Sequence, residues 1–292
     1  MQNIKTNFII ISPVKNEEKY VEKTIGSILR QTCKPIAWII VNDQSTDDTE
    51  KIVRDCCEKV DWIKMINHYD NESSARKRGS RIVKAFYCGY EAIKDTKHDF
   101  IVKLDGDISF EPNFFERIFL EFEGRPRLGI TSGVSYIEMA GKWVEEKSAK
   151  GHTLGATKVY RKQCFEDIGG LVPFIGWDGI DEIKARMVGW DAENIPDLIA
   201  YHHRPEGRET GSLKASYEDG VGAYFMGYHP LFLLLRGIWR MKNQPYVLGG
   251  LNLIYAYFKS ALNKDEKIND ENFIKFVRVE QLKKLSFRKS LV

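Results

Sequence analysis

The sequence predicts an α/β fold: a mostly parallel central sheet with helices on both faces, followed by a helical C-terminal extension. Three observations predict it. Short apolar runs alternate with amphipathic stretches of helical length through residues 1–110. Those runs end in turn-forming and acidic residues, as strands do when they lead into crossover helices. Beyond His203 the rhythm changes to long stretches rich in aromatic and aliphatic residues.

The elements follow in order. Phe8 to Ser12 reads as a buried strand. Asn16 is the expected N-cap of the next helix, with Glu17 and Glu18 favoured by its dipole and Val21, Ile25 and Ile28 on one face. Ala37 to Val41 is a second strand, closed by the turn Asn42-Asp43-Gln44-Ser45. Ser45 or Thr46 opens a helix with Asp47 and Asp48 in its first turn. Trp62 to Ile66 is a third strand, and a long helix is expected from Ser74 to Ala92. Phe100 to Leu104 is a fourth strand, ending at Asp105-Gly106-Asp107. Further on, Leu128 to Tyr136, Thr153 to Tyr160 and Asp197 to Tyr201 read as strands, and Lys162 to Ile168 and Gly179 to Val188 as helices. Gly207 to Gly220 reads as a polar loop, and Tyr224 to Met241 and Val247 to Leu262 as apolar helical stretches. The expected division is a catalytic domain over 1–205, with halves at 1–110 and 111–205, and an extension over 206–292.

Composition narrows the function. The 292 residues carry a net charge of only +3, with 43% hydrophobic and 29% charged side chains. A chain this long buries a core without staples. The small, mixed charge excludes a dedicated nucleic-acid binder. Five cysteines, with no C-x-x-C pair, read as reduced thiols of a cytoplasmic protein. The first apolar run is too short for a signal peptide.

In open parallel sheets, ligands bind beyond the carboxyl ends of the strands. That rule selects three stretches: Pro13, Val14, Asn16 and Glu17; Asp43 and Ser45; and Asp105, Gly106 and Asp107. Asp105 and Asp107, two residues apart at a strand end, offer hard oxygen ligands suited to Mg²⁺ or Mn²⁺, with a phosphate completing the coordination. Gly106 lets the backbone turn between them. Asp43 is an Asx-type turn residue or an acceptor for a base or ribose. Arg76, Lys77, Arg78 and Arg81 crowd one segment: cations for a diphosphate, or, for Lys77 and Arg81 above all, a solvated helix face. His202 and His203 close a strand, so their side chains take opposite faces and one is a candidate metal ligand. Asp178 has the pattern of an N-cap, with Asp181 at the third helical position. It is also a candidate general base.

These residues resemble family 2 glycosyltransferases with a GT-A fold, over residues 5–205. Pro13-Val14-Lys15-Asn16-Glu17 is similar to the family's P-x-x-N-E. Ile40-Val41-Asn42-Asp43-Gln44-Ser45-Thr46-Asp47 is similar to V-D-D-G-S-T-D, Ala75-Arg76-Lys77-Arg78-Gly79 to A-R-N-x-G, and Asp105-Gly106-Asp107 to D-x-D. The resemblance implies that Pro13, Glu17 and Asp43 hold the nucleoside and that Arg76 lies near the nucleotide. It puts Asp107 on the metal and Asp105 near ribose and metal. Gly169-Gly170-Leu171 resembles the G-G-F turn before the acceptor helix. Gly189 lies eleven residues after Asp178, which matches Asp178 to the catalytic base and Lys184 to the usual basic residue. Trp177 stands where the family has Glu, and Asp181 is a second candidate base. The Q-x-x-R-W motif of processive synthases is absent, which favours single-sugar transfer. The implied activity is an inverting, metal-dependent hexosyltransferase-type reaction. Its donor is a nucleotide-diphosphate sugar, UDP-linked first. Its acceptor is a glycan or lipid-linked hydroxyl in polysaccharide or glycoconjugate synthesis.

Two other classes compete. A sugar-phosphate nucleotidyltransferase would carry a Gly-rich basic loop after the first strand, where this chain has Pro13 to Glu18 without glycine. A non-catalytic sugar-binding module would not need Asp105, Asp107 and Asp178 together. Dehydrogenase and P-loop glycine patterns are absent. Residues 224–262 combine apolar side chains with Arg236, Arg240 and Lys242. They suit peripheral membrane contact, packing on the core, or a homodimer contact.

Overall fold

A computed structural model describes residues 6–69, 78–146, 151–204 and 212–287. The chain divides into two compact units, Met1–Pro173 with Trp177–Pro205, and Phe174–Gly176 with Glu206–Val292.

The first unit is built on one sheet. Its strands are β1 (Phe8–Val14), β2 (Ala37–Asn42), β3 (Ile63–Asn67), β4 (Phe100–Leu104), β5 (Ile108–Phe110), β6 (Leu128–Met139), β7 (Lys142–Glu145), β8 (Thr157–Arg161) and β9 (Asp191–His202). They lie in the order β3-β2-β1-β4-β8-β6-β9-β5, with β7 paired to β6. The first four are parallel; β4–β8, β8–β6, β6–β7 and β9–β5 are antiparallel, and β6–β9 is parallel. The parallel character therefore belongs to the first half, and the sheet as a whole is mixed. β8 closes the edge that β4 would otherwise expose.

Side chains alternate across the sheet and feed a core on each face. Phe8 and Ile10 pack with α1 (Val21–Leu29), α2 (Thr49–Cys57) and α4 (Phe114–Gly124); Ile9 and Ile11 pack with α3 (Arg78–Glu91), α5 (Lys162–Asp167) and α6 (Trp177–Met187). Phe114, Phe115, Ile118, Phe119 and Phe122 give α4 a buried face at helical spacing. Each such side chain contributes about 1.5–3 kcal/mol when fully removed from water.

Several local expectations change. Asn16 is not an N-cap: α1 starts at Val21, and Asn16 instead turns the chain with φ 55°. α2 opens after Asp48 rather than at Ser45 or Thr46, and α6 opens at Trp177, so Asp178 lies inside the first turn instead of capping it. β5 and β7 had no signal, being short. All five cysteines are unpaired.

The second unit contains α7 (Ser212–Phe225), α8 (Pro230–Arg240), α9 (Leu248–Leu262) and α10 (Glu271–Phe287). The expected loop over 207–220 is helical from Ser212 on, while 207–211 lie outside the described residues. Gly220 misleads because it serves packing. A Cβ at Gly220 would stand 2.3 Å from the Leu253 carbonyl oxygen, so α7 meets α9 backbone to backbone. Gly220→Ala should therefore destabilise the protein by about 1–3 kcal/mol. Chemical denaturation checks this, and an unchanged midpoint would show that the helices move apart without cost.

Candidate active site

The carboxyl ends of β1 and β2 are tied into one platform. The Asp43 N–H donates to the Val14 carbonyl (2.9 Å), and the Ser45 N–H to Asn42 Oδ1 (3.1 Å). The Asn16 N–H donates to Ser45 Oγ (3.1 Å), and the Thr46 N–H to Asn16 Oδ1 (2.8 Å). Glu17 N–H reaches Thr49 Oγ1 at 2.7 Å. Asn16 and Ser45 thus brace the two loops against each other. Both turns store backbone strain, Asn16 at φ 55° and Gln44 at φ 58°, and such strain clusters at functional sites. Pro13 lies beside Val41 in the β1–β2 ladder.

Asp43 is buried and paired with Arg81, whose Nε stands 2.7 Å from Oδ2. Arg81 is therefore held by Asp43, although its side chain keeps 39% exposure. Arg76 lies outside the described residues.

The turn after β4 lies tight against this platform. A Cβ on Gly106 would be 2.8 Å from Val14 Cγ1 and 3.1 Å from Glu17 Cγ, and Thr24 Oγ1 donates to the Gly106 carbonyl (2.8 Å). The space that glycine leaves is filled by Val14 and Glu17, which fixes where the flanking acids stand. Asp105 is engaged by Lys103, whose buried Nζ lies 2.5 Å from Oδ1 and also donates to the Gly155 carbonyl (2.9 Å).

Asp107 is only 6% exposed. Its Oδ2 faces His202 Nε2 at 3.4 Å and Arg204 Nε at 3.6 Å, while its Oδ1 is buried with no hydrogen-bond partner. Leaving such an acceptor unmet costs about 1–3 kcal/mol or more for a charged group. A divalent cation ligated there would meet it, and a carboxylate oxygen is a donor that Mn²⁺ and Mg²⁺ accept. Among the described residues, no three His, Cys, Asp or Glu side chains gather into a complete metal centre. His202 lies between Asp107 and Glu146. Burial lowers its pKa, but the two carboxylates prevail and push it up to about 10. His203 takes the opposite direction. Its Nε2 lies 2.9 Å from Ser109 Oγ, its ring stacks on Tyr20, and only its backbone N–H reaches Asp107, at the carbonyl. Arg204, which the sequence did not single out, also bonds Glu17 and covers the Tyr20 ring.

The second half of the site lies on α6. Asp181 is 1% exposed; Lys158 Nζ binds both its oxygens (2.7 and 2.9 Å) and Tyr160 donates to it (2.5 Å). Asp181 is thus enclosed and fully partnered. Asp178 keeps 35% side-chain exposure. Burial raises its pKa, but the approach of the His152 ring and the charges of Lys158 and His152 outweigh this and hold it at about 2. His152 lies between Asp178 (3.7 Å) and Glu182 (2.9 Å), and Glu182 is fixed by the Thr153 N–H (2.7 Å) and hydroxyl. Burial lowers the His152 pKa, yet the two carboxylates carry it to about 9. Trp177, in the place of the family's usual Glu, lies between two ammonium groups, Lys103 Nζ at 5.2 Å and Lys158 Nζ at 5.5 Å from its ring centre. Lys103, His152, Lys158, Tyr160 and Glu182 were missed in sequence. The available signal was a lone lysine within each of two otherwise buried strands.

The fold and these acids define a GT-A transferase architecture. The chain belongs to glycosyl transferase family 2, whose pattern it matches over residues 9–175. It is 31% identical over 115 residues to the uncharacterized glycosyltransferase EpsJ of Bacillus subtilis, covering 39% of this chain and 30% of that one. It is 29% identical over 188 residues to the glycosyltransferase GlyA of Streptococcus pneumoniae, covering 58% and 26%. The chain thus spans less than half of the length of these relatives. In structure it is similar to the mannosyltransferase PcManGT from Pyrobaculum calidifontis, solved with GDP-Man and Mn²⁺ (TM-score 0.55, 15% identity, 88% of this chain and 73% of that chain). It is equally similar to S. aureus TarS 1–349 with UDP-GlcNAc (TM-score 0.55, 15% identity, 94% and 83%).

The raised His152 pKa has a definite sign. An ordinary histidine titrates near ~6.5, so the folding stability His152 contributes is complete below that pH and is lost as pH rises through 9. NMR titration should place its ring near 9, and Asp178→Asn with Glu182→Gln should return it toward the ordinary value. A wild-type ring titrating near the ordinary value would show that the carboxylates do not hold it.

Proposed function

We propose that this protein transfers one sugar from a nucleotide-diphosphate donor to a hydroxyl of a glycan or lipid-linked acceptor, with inversion at the anomeric carbon. The observation that carries this reading is the buried, unpartnered oxygen of Asp107 at the carboxyl edge of a family 2 sheet. Asp107 would hold Mn²⁺ or Mg²⁺, with His202 able to join only by giving up its proton to the incoming cation, and the donor's phosphate oxygens would supply further ligands. Bound there, the metal supplies charge neutralisation for the diphosphate leaving group. Asp43, steadied by Arg81, and the strained turns at Asn16 and Gln44 form the nucleoside platform. UDP is the first donor to test, because TarS binds UDP-GlcNAc; GDP is the second, because PcManGT binds GDP-Man.

The acceptor hydroxyl attacks the anomeric carbon while the bond to the diphosphate oxygen breaks, and Asp178 takes the hydroxyl proton. Asp178 is the better base because it keeps exposure, whereas Asp181 is spent on Lys158 and Tyr160. Arg204 adds positive charge beside Asp107.

Asp107→Ala should abolish metal-dependent nucleotide binding, measured by calorimetry with UDP and GDP, while the fold persists. Full turnover of the wild type in excess EDTA would refute the metal reading. Asp178→Asn should lower turnover by about a hundredfold or more with donor affinity unchanged. The assay is nucleotide release over a panel of donor sugars. Loss in Asp181→Asn alone would move the base to that residue.

A further inference from the structure

We infer that the tip of the α8–α9 hairpin is a docking surface for an anionic lipid bilayer. The two helices approach through glycines: a Cβ at Gly250 would stand 2.2 Å from the Gly237 carbonyl oxygen, and one at Gly237 would stand 2.5 Å from Ile254 Cγ1. This close packing turns Leu233 and Gly237 inward. Leu235, Ile238 and Trp239 remain outside on the last turns of α8, and Leu248 and Leu251 on the first turns of α9. Val247 projects from the turn between them, which the Val247 N–H closes on the Met241 carbonyl (3.0 Å). These six large apolar side chains are 43–58% exposed. Scattered exposed apolar residues need no explanation, but a cluster at one corner does. Val247 adds a second mark. It holds φ 49°, a region that β-branched residues rarely enter, and the strain places an apolar side chain in the open.

Charge selects the occupant. From Val221 to Lys264 the sequence has no Asp or Glu, and it has five cations, Arg236, Arg240, Lys242, Lys259 and Lys264. Arg236 and Lys242 flank the apolar tip and are exposed. A second copy docking tip to tip would set these cations against their own kind with no acid in the segment to answer them. An anionic headgroup layer answers Arg236 and Lys242, the exposed cations beside the tip, while the apolar tip enters the boundary below it. Among the described residues no helix is long and apolar enough to cross a membrane, so the contact is a surface one.

The experiment is co-sedimentation of the full chain with vesicles at low salt. Binding should be roughly tenfold or more stronger to phosphatidylcholine mixed with phosphatidylglycerol than to phosphatidylcholine alone, and should weaken as salt screens the cations. Ile238→Asp with Leu248→Asp should abolish pelleting. Arg236→Ser with Lys242→Ser, which leaves the apolar tip intact, should erase the preference for the anionic lipid. Matching melting curves for the variants separate loss of binding from loss of fold. Wild-type protein that stays in the supernatant overturns the inference. So does pelleting that neither pair of substitutions reduces, and so does a dimer in analytical ultracentrifugation that Leu248→Asp dissolves without any vesicle binding.

Discussion

Two lysines buried in the middle of the sheet govern the chemistry of its carboxyl edge. Lys103 on β4 and Lys158 on β8 are direct cross-strand partners, and neither side chain has appreciable contact with water. An unpaired ammonium in such a place costs several kcal/mol, and two side by side repel each other as well. The fold answers with acids from opposite directions. Asp105 comes from the turn after β4, and Asp181 and Glu182 come from α6. Trp177 then offers its ring to both cations. The result is a physical tie between the turn carrying Asp107 and the helix carrying Asp178. Neither can shift without exposing a buried charge to an apolar surrounding.

The same logic explains the departure at position 177. A glutamate there would add an acid to a place already balanced by Asp105, Asp178, Asp181 and Glu182. An indole satisfies the two ammonium groups without changing the charge count, and it supplies buried area that a carboxylate would not. Of the α6 acids in the cluster, Asp178 is left as the one with solvent access.

What could be read from sequence follows from which signals are local. β4 was legible to the residue because Phe100 to Leu104 is bounded by His98-Asp99 and Asp105-Gly106. The acids at 105 and 107 followed from the rule about strand ends. Their different fates did not follow, because Lys103 fixes Asp105 through geometry that a lone lysine in an apolar strand only hints at. Arg81 read, with Lys77, as a solvated cation, and its bond to Asp43 depends on how α3 packs over β2. Gly220 read as loop because close helix packing and chain flexibility use the same residue. Asn16 read as a cap because polar turn residues serve both roles; its side chain instead joins a loop thirty positions away in sequence.

In the proposed reaction, the electrostatics around Asp178 constrain the timing of proton transfer. A carboxylate held at about 2 is ionised at any working pH, so it is always ready, but it is a weak Brønsted base. His152, carried to about 9 by the same contacts, is positive beside it and disfavours a proton on Asp178. Such a base gains little by taking the hydroxyl proton early. It gains once the oxygen has begun to bond to carbon and its proton has become acidic. An oxocarbenium-like transition state, in which departure of the diphosphate runs ahead of attack, has that requirement. In that proposal the demand would fall on the leaving-group side, where Arg204 lies and where Asp107 would hold a cation. An early, strong base on α6 would be redundant there, and its higher pKa would leave part of the protein protonated and inactive at mildly acidic pH. The Lys158 and His152 cations accordingly trade basic strength at Asp178 for constant ionisation, which suits a reaction driven by departure of the nucleotide.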